Sequence, residues 1–118
     1  MDKKGIDFDD LHFRKAVAIL EGRWSILILN ELLGGKKRFG ELKNALKGIS
    51  PKILSTRLKE LQQEGIIEKK VYPETPPRVE YRLSPNGLLI EKVVHTIANW
   101  STTLEKKKVS AMTLDLHQ

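Results

Sequence analysis

Residues 39–64 read FGELKNALKGISPKILSTRLKELQQE, and their hydrophobic pattern is typical of two short helices joined by a turn. The opening part, 39–46, carries apolar residues on one helical face and predicts a short helix. The glycine-containing pair 48–49 predicts a tight turn. Ser50 followed by Pro51 is typical of a helix start, because a serine hydroxyl can cap the first turn and proline has no N–H to leave unpaired there. A second helix then runs to the end of the stretch, which predicts a helix-turn-helix.

Helices and strands are predicted on both sides of this stretch. An amphipathic helix over 13–20 and an almost wholly apolar helix over 24–33 precede it. After it, the hydrophobic period changes to that of two strands, 66–72 and 78–83, and prolines mark the loop between them. A long helix is predicted over 84–107, where Ser-Pro again marks the start.

This order of elements predicts the fold class. We expect a mainly α fold with a small β wing (α+β): a winged helix-turn-helix with flanking N- and C-terminal dimerisation helices. The length of 118 residues fits one compact domain. That domain is expected to span 8–107, followed by a C-terminal tail at 108–118 to which no structure is assigned.

The positive charge of the chain is concentrated in one segment. Lysine and arginine number 21 against 15 acidic residues, a net charge of +6. Between Gly34 and Glu60 there are eight basic residues and two acidic ones, so this segment alone carries the excess of six. A local basic excess indicates an anionic partner, either a nucleic acid or a membrane surface.

The second helix of the helix-turn-helix has two contrasting faces. At 100° per residue, Leu54, Leu58 and Leu61 form the buried side. The opposite side combines cations with hydroxyls and an amide, which contact phosphates and base edges. The alternative is an ordinary solvated face, but this one lacks acids. The predicted DNA contacts of the chain are Lys37, Arg38, Ser50, Lys52, Ser55, Thr56, Arg57, Lys59, Gln63 and Arg78.

Several of these residues have a second interpretation. Arg57 lies nearer the buried edge of its helix. The basic run 36–38 fits a solvated turn as well as an anchor for the DNA backbone. Arg78 fits a minor-groove or phosphate contact, or a cross-strand partner of a glutamate. Ser50 is primarily a helix cap, and a phosphate contact is compatible with that role.

The last helix carries a longer apolar stripe than one small core can cover. Packing against the same helix of a second chain would bury it, and the first helix would contribute. The alternative is that the helix folds back on its own domain. We expect a homodimer whose interface contains Phe13, Val17, Ile90, Val94, Ile97, Trp100 and Leu104.

Other classes of function find little support in the sequence. There are no cysteines, which excludes disulfides, thiolate nucleophiles and cysteine-ligated zinc. His12, His95 and His117 stand far apart without ligand spacing, so neither an enzyme, a metal site nor a cofactor is predicted. No signal peptide or membrane span is recognised, and we expect a soluble, cytoplasmic protein with no membrane partner.

The sequence resembles the HxlR family of winged-helix transcriptional regulators over roughly 13–104. The most specific segments are Ile49-Ser50-Pro51-Lys52 and the run PPRVEY at 76–81. Further matching segments are Gly22-Arg23-Trp24, Arg38-Phe39-Gly40-Glu41-Leu42 and Arg57-Leu58-Lys59-Glu60-Leu61. The resemblance implies a cytoplasmic homodimer, joined through its terminal helices, that presents two recognition helices to one face of DNA. Many members carry a cysteine near the start of the first helix, whereas 11–15 here hold none, so thiol-based sensing is excluded.

These features predict a sequence-specific transcriptional regulator of double-stranded DNA. The recognition helix, 50–64, is expected in the major groove, and the wing, 73–79, at the adjacent backbone or minor groove. The expected partners are an inverted-repeat operator, a second copy of the chain and an effector that the sequence does not identify. The alternative is a winged-helix module that contacts protein or RNA without an operator.

Overall fold

The computed structural model describes Gly5 and residues 10–116, with side chains described through Val109. The predicted domain start at residue 8 lies outside the described residues. The chain divides into two compact units, one ending at Leu88 and the other beginning at Leu89. Each unit is described below by itself.

Four helices form the larger part of the first unit. Asp10 caps the first of them, because its carboxylate accepts hydrogen bonds from the backbone N–H groups of His12 (2.9 Å) and Phe13 (3.1 Å). Gly65, with φ +75°, follows the last and allows the chain to turn sharply into the sheet. The helices are α1 (Leu11–Ile19), α2 (Ser25–Leu33), α3 (Phe39–Ala45) and α4 (Pro51–Gln63).

A three-stranded antiparallel sheet completes this unit. Its strands are β1 (Lys37–Arg38), β2 (Ile67–Tyr72) and β3 (Arg78–Leu83), in the spatial order β1-β3-β2. The strands β2 and β3 confirm the two-stranded wing that the sequence predicted. The strand β1 was not predicted, because two residues are too few to show the alternation that identifies a strand.

The core of the unit joins the helix-turn-helix to the sheet. Fully buried side chains come from α2 (Ile28 and Leu29), α3 (Leu42) and α4 (Leu54). The inner face of the sheet adds Ile67, and α4 packs against β2 while α2 packs against β3 and α3. Each such side chain contributes roughly 1.5–3 kcal/mol of burial free energy. The recognition helix is therefore held on a rigid support.

A close backbone contact ends the first unit. The Ser84 hydroxyl donates to the Gly65 carbonyl (2.6 Å) and accepts from the Gly87 N–H (3.0 Å). A Cβ atom on Gly87 would overlap the carbonyl oxygen of Ile66, so only glycine fits there. The predicted cap at Ser84 thus starts a short 3₁₀ helix, Gly87–Leu89, before the last helix.

The second unit consists mainly of α5 (Ile90–Leu116), a helix of 27 residues. It continues beyond Lys107, where the sequence predicted its end. The apolar stripe fades after Leu104, which suggested a tail, but no glycine or proline interrupts 107–116. Nothing in the described helices is both long and apolar enough to cross a membrane.

Candidate nucleic-acid interface

The turn between α3 and α4 fixes the start of the recognition helix. Leu46 and Ile49 are buried on either side of Gly48, whose φ of +93° reverses the chain. The Ser50 hydroxyl accepts a hydrogen bond of 3.1 Å from the backbone N–H of Ile53. This cap confirms the predicted helix start and sets which residues of α4 point outward.

The outward face of α4 is polar, and its one exposed carboxylate, Glu60, lies on the side of Arg57, with which it is paired. Leu54, Leu58 and Leu61 are buried, as the helical period predicted. The 13 residues of the helix span about 20 Å, a length that suits insertion into a major groove about 12 Å wide. The exposed residues opposite the buried leucines, with one on the flank, are Lys52, Ser55, Thr56, Lys59 and Gln63.

The two lysines of this face are available for an external anion. In the part of the chain that the structure describes, neither Lys52 nor Lys59 forms an ion pair. The nearest acid in sequence, Glu60, is instead paired with Arg57 at 3.0 Å. No ion pair among the described residues therefore neutralises these two lysines.

Arg57 lies away from the other cations of α4. Its guanidinium is bonded to Glu60, and a Cβ atom added to Gly22 would lie 3.2 Å from its Nη2 atom. Arg57 therefore packs on the flank of α4 that adjoins the turn between α1 and α2. The sequence placed it near the buried edge, and its side chain is half-buried.

The basic run before α3 is part of the sheet. Lys37 pairs with Tyr81 and Arg38 with Glu80 across the β1–β3 register. The Arg38 N–H donates to the Glu41 carboxylate at 2.9 Å, which caps α3 and leaves the Arg38 side chain exposed. Lys37 and Arg38 thus form the edge strand β1, and the exposed Lys36 precedes it.

Arg78 has two carboxylate partners, but neither is the cross-strand glutamate of its second interpretation: Glu74 lies in the wing loop, and Glu80 lies two residues further along the same strand. The residue across the β2–β3 register from Arg78 is Tyr72. Its Nη2 atom lies 3.3 Å from a Glu74 carboxylate oxygen and its Nε atom 3.9 Å from Glu80. Its guanidinium also lies over the Tyr72 ring. These contacts close the wing at the base of its proline-containing loop, where the Thr75–Pro76 bond is cis.

Glu80 is the charged centre of this wing cluster. Burial raises the pKa of Glu80, but a hydrogen bond from Tyr72 and the positive charges of Lys36 and Arg78 outweigh that effect. The pKa therefore lies below its ordinary value of 4.5. Lys36 is 3.6 Å from Glu80 and is thereby drawn into the wing.

Lys69 is a cation that the sequence analysis did not select. It lies on β2 opposite Tyr81 and lines a cleft between α4 and the sheet. Strand alternation places it on the same face as the buried Ile67, and this was an available signal. The packing of α4 beside that face cannot be read from the strand alone.

Apolar side chains remain exposed on both terminal helices. On α1, Val17 is exposed and Phe13 half-buried. On α5, Ile97, Trp100 and Leu104 are exposed, Trp100 by 62%. Ile90 is half-buried and Val94 is buried, so these two offer less surface to a partner.

One further cleft, of about 340 Å³, lies within the first unit. Its lining comes from α1, the start of α2 and the C-terminal part of α4, and includes Lys15, Ser25, Glu60 and Glu64. Among the described residues, no cluster of three or more histidine, aspartate or glutamate side chains is arranged to hold a metal ion.

A helix-turn-helix with an unpaired cationic face, followed by a two-stranded wing, defines the winged helix-turn-helix class. The HxlR-like helix-turn-helix family model matches residues 19–109. The chain belongs to the HxlR family.

Known proteins give the family a function. The uncharacterised HTH-type transcriptional regulator YvaP of Bacillus subtilis is 46% identical over 90 residues, which cover 76% of this chain and 83% of YvaP. A solved structure assigned to the MarR family of transcriptional regulators, from Porphyromonas gingivalis W83, has a TM-score of 0.77 at 40% identity. It covers 84% of this chain and 97% of that one.

The redox regulator HypR, in its reduced form, also has a TM-score of 0.77, at 28% identity, covering 84% of this chain and 98% of HypR. YvaP and the Porphyromonas gingivalis protein are thus named as transcriptional regulators and not as enzymes. This chain is accordingly a transcriptional regulator of the helix-turn-helix type.

Proposed function

We propose that the chain is a homodimeric regulator that binds an inverted-repeat operator in double-stranded DNA. Residues Lys52, Thr56, Lys59 and Gln63 of α4 enter the major groove, with Ser55 on their flank. The wing loop lies at the adjacent backbone or minor groove. A protein with this role works in the cytoplasm.

The outward face of α4, whose two lysines form no ion pair among the described residues, carries this proposal. Lys52, near the start of the helix, and Lys59, about one turn before its end, supply phosphate contacts, while Thr56 and Gln63 supply groups that can hydrogen-bond to base edges. Ser50 lies at the helix start, where the N–H groups favour an anion. Lys37 and Arg38 extend the positive surface along the β1 edge.

Not every predicted contact has the same part in this proposal. Arg57 and Arg78 have carboxylate partners within the chain. We assign them to holding the flank of α4 and the wing in position. Their effect on DNA binding is then indirect, through the shape of the surface that meets the duplex.

The exposed apolar side chains support the homodimer. Ile97, Trp100 and Leu104 follow one another along one face of α5, since their spacing is three and four residues. Val17 and Phe13 give α1 a smaller apolar face. A two-fold dimer would bury both sets and would present two recognition helices about 34 Å apart, one turn of DNA, which requires an inverted repeat.

Binding of the purified protein to DNA from its own upstream region tests the proposal. Fluorescence anisotropy is recorded with that DNA and with a shuffled duplex of equal length, at two salt concentrations. We expect tighter binding to the upstream DNA and a steep loss with salt, by orders of magnitude for about six phosphate contacts. Equal affinity for both duplexes would contradict a specific operator and favour a module for protein or RNA.

These 118 residues supply no cysteine thiol that could act as a redox sensor. HypR is a redox regulator, but the 118 residues here contain no cysteine. A small-molecule effector is compatible with the fold, and we assign it no identity.

A further inference from the structure

A polar cleft separates the recognition helix from the wing sheet. The helix contributes Ser55, Lys59, Gln62 and Gln63 to its lining, together with the buried Leu58. The sheet contributes Lys69 and Tyr81, which face each other across the β2–β3 register. No carboxylate is among these lining residues, so two lysine charges face the cleft unopposed.

Lys69 lies on the side of the sheet that faces α4, and its neighbour Lys70 lies on the opposite side. Successive residues of a strand point to opposite sides. Lys69 accordingly points into the cleft, whereas Lys70 lies 4.9 Å from the centre of the Tyr72 ring on the other side. The strand therefore supplies two adjacent lysines in different surroundings.

We propose that this cleft is a binding site for the DNA phosphate backbone, with Lys69 as a direct phosphate contact. The inference rests on the proposed function. If α4 occupies a major groove and the wing meets the adjacent minor groove, the phosphate strand that separates the two grooves must cross the space between α4 and the sheet. That space is the cleft.

The chemistry of the lining fits a phosphodiester. Lys59 and Lys69 supply charge from opposite walls, and Ser55 and Gln62 supply neutral hydrogen-bond donors. The Tyr81 hydroxyl is protonated at neutral pH and can donate, and burial raises its pKa further. In this proposal these groups donate to phosphate oxygens, so the cleft contributes affinity and register and does not read sequence.

Lys69→Ala and Lys70→Ala form a matched pair that tests the assignment. Each removes one positive charge from the same strand, so long-range electrostatic effects are alike. Both proteins are titrated with upstream and shuffled DNA over a series of salt concentrations. For Lys69→Ala we expect affinity for both duplexes to fall by about eightfold per bound protomer at 0.1 M salt. The slope of log K against log[salt] should fall by about 0.9 per protomer.

The control and the conservative variant complete the test. Lys70→Ala should keep a slope close to that of the wild type, and Lys69→Arg should restore it. Equal slopes for the two alanine variants would overturn the assignment while leaving the proposed function intact. Loss of the preference for upstream DNA in Lys69→Ala alone would also overturn it, because Lys69 would then read bases. A wild-type protein without DNA affinity would overturn both proposals.

Discussion

The guanidinium of Arg78 lies 4.0 Å from the centre of the Tyr72 ring, and the two residues are paired directly across the β2–β3 register. The same guanidinium is 3.3 Å from Glu74, and its Nε atom is buried without a hydrogen-bond partner in the described chain. Arg78 therefore closes the wing loop by stacking and by charge.

Arg78→Ala should destabilise the protein by about 1–2 kcal/mol, because stacking and ion pairing are lost from a side chain that is only 30% exposed. Urea unfolding followed by circular dichroism measures the change. Arg82→Ala is the matched control, since Arg82 pairs with Glu68 at 2.9 Å but is 60% exposed. An exposed pair is worth less than about 1 kcal/mol. Equal losses in the two variants would contradict the structural role of Arg78.

Glu80→Gln should lower the free energy of unfolding at neutral pH and leave it unchanged at acid pH. The pKa of Glu80 is lowered in the folded protein, so its stabilising effect is present above its ordinary pKa of 4.5 and is lost as the pH falls through the lower folded value. We expect the wild type to be the more stable protein at neutral pH and the difference to disappear at acid pH. Unfolding midpoints measured across the acid range test this. A difference that persists at the lowest pH would refute the charge-based account.

Gly87→Ala should lower the free energy of unfolding by about 3 kcal/mol or more, the top of the range for overpacking. The added methyl would overlap the Ile66 carbonyl, which is fixed by its bond with the Ser84 N–H. Gly40→Ala is the control, because Gly40 lies in α3 with no atom within 4 Å of the new methyl. That change should be neutral or slightly stabilising. A tolerated Gly87→Ala would show that this contact is not tight.

Trp100→Lys should convert the proposed dimer into a monomer. The change places a charge in the centre of the exposed apolar stripe of α5, where it would be desolvated in the interface. Sedimentation equilibrium gives the mass directly. Asn99→Lys, a neighbouring exposed position on the other side of the helix, should leave the dimer unchanged. A Trp100→Lys protein that remains dimeric would place the interface elsewhere.

The sequence predicted those parts of the fold that a regular hydrophobic period or a helix-start residue marks. The leucine period of α4 and the Ser50-Pro51 start predicted the recognition helix, and the alternation in β3 predicted that strand. The edge strand β1 was not predicted, because its two residues are too few to show an alternating pattern. The end of α5 was placed too early because the apolar stripe fades before the helix does.

The candidate site was less accessible from the sequence, because side-chain partners are set by tertiary contacts. Arg57 and Lys59 are both cationic residues of α4, yet only Arg57 has a carboxylate partner in the described chain. Lys69 and Lys70 are likewise adjacent, yet only Lys69 faces the cleft beside α4. Pattern predicts which face of an element is polar, whereas packing decides which polar groups are free.

The proposed DNA binding depends most on the outward face of α4. Its most direct test is the affinity of Lys52→Ala and Lys59→Ala for the upstream DNA, measured by anisotropy beside Lys15→Ala. Lys15 is an exposed lysine on α1, so its variant controls for the loss of one charge. We expect each α4 variant to bind roughly tenfold more weakly, with an unchanged circular dichroism spectrum, and the Lys15 variant to bind like the wild type. Wild-type affinity in both α4 variants would contradict the account.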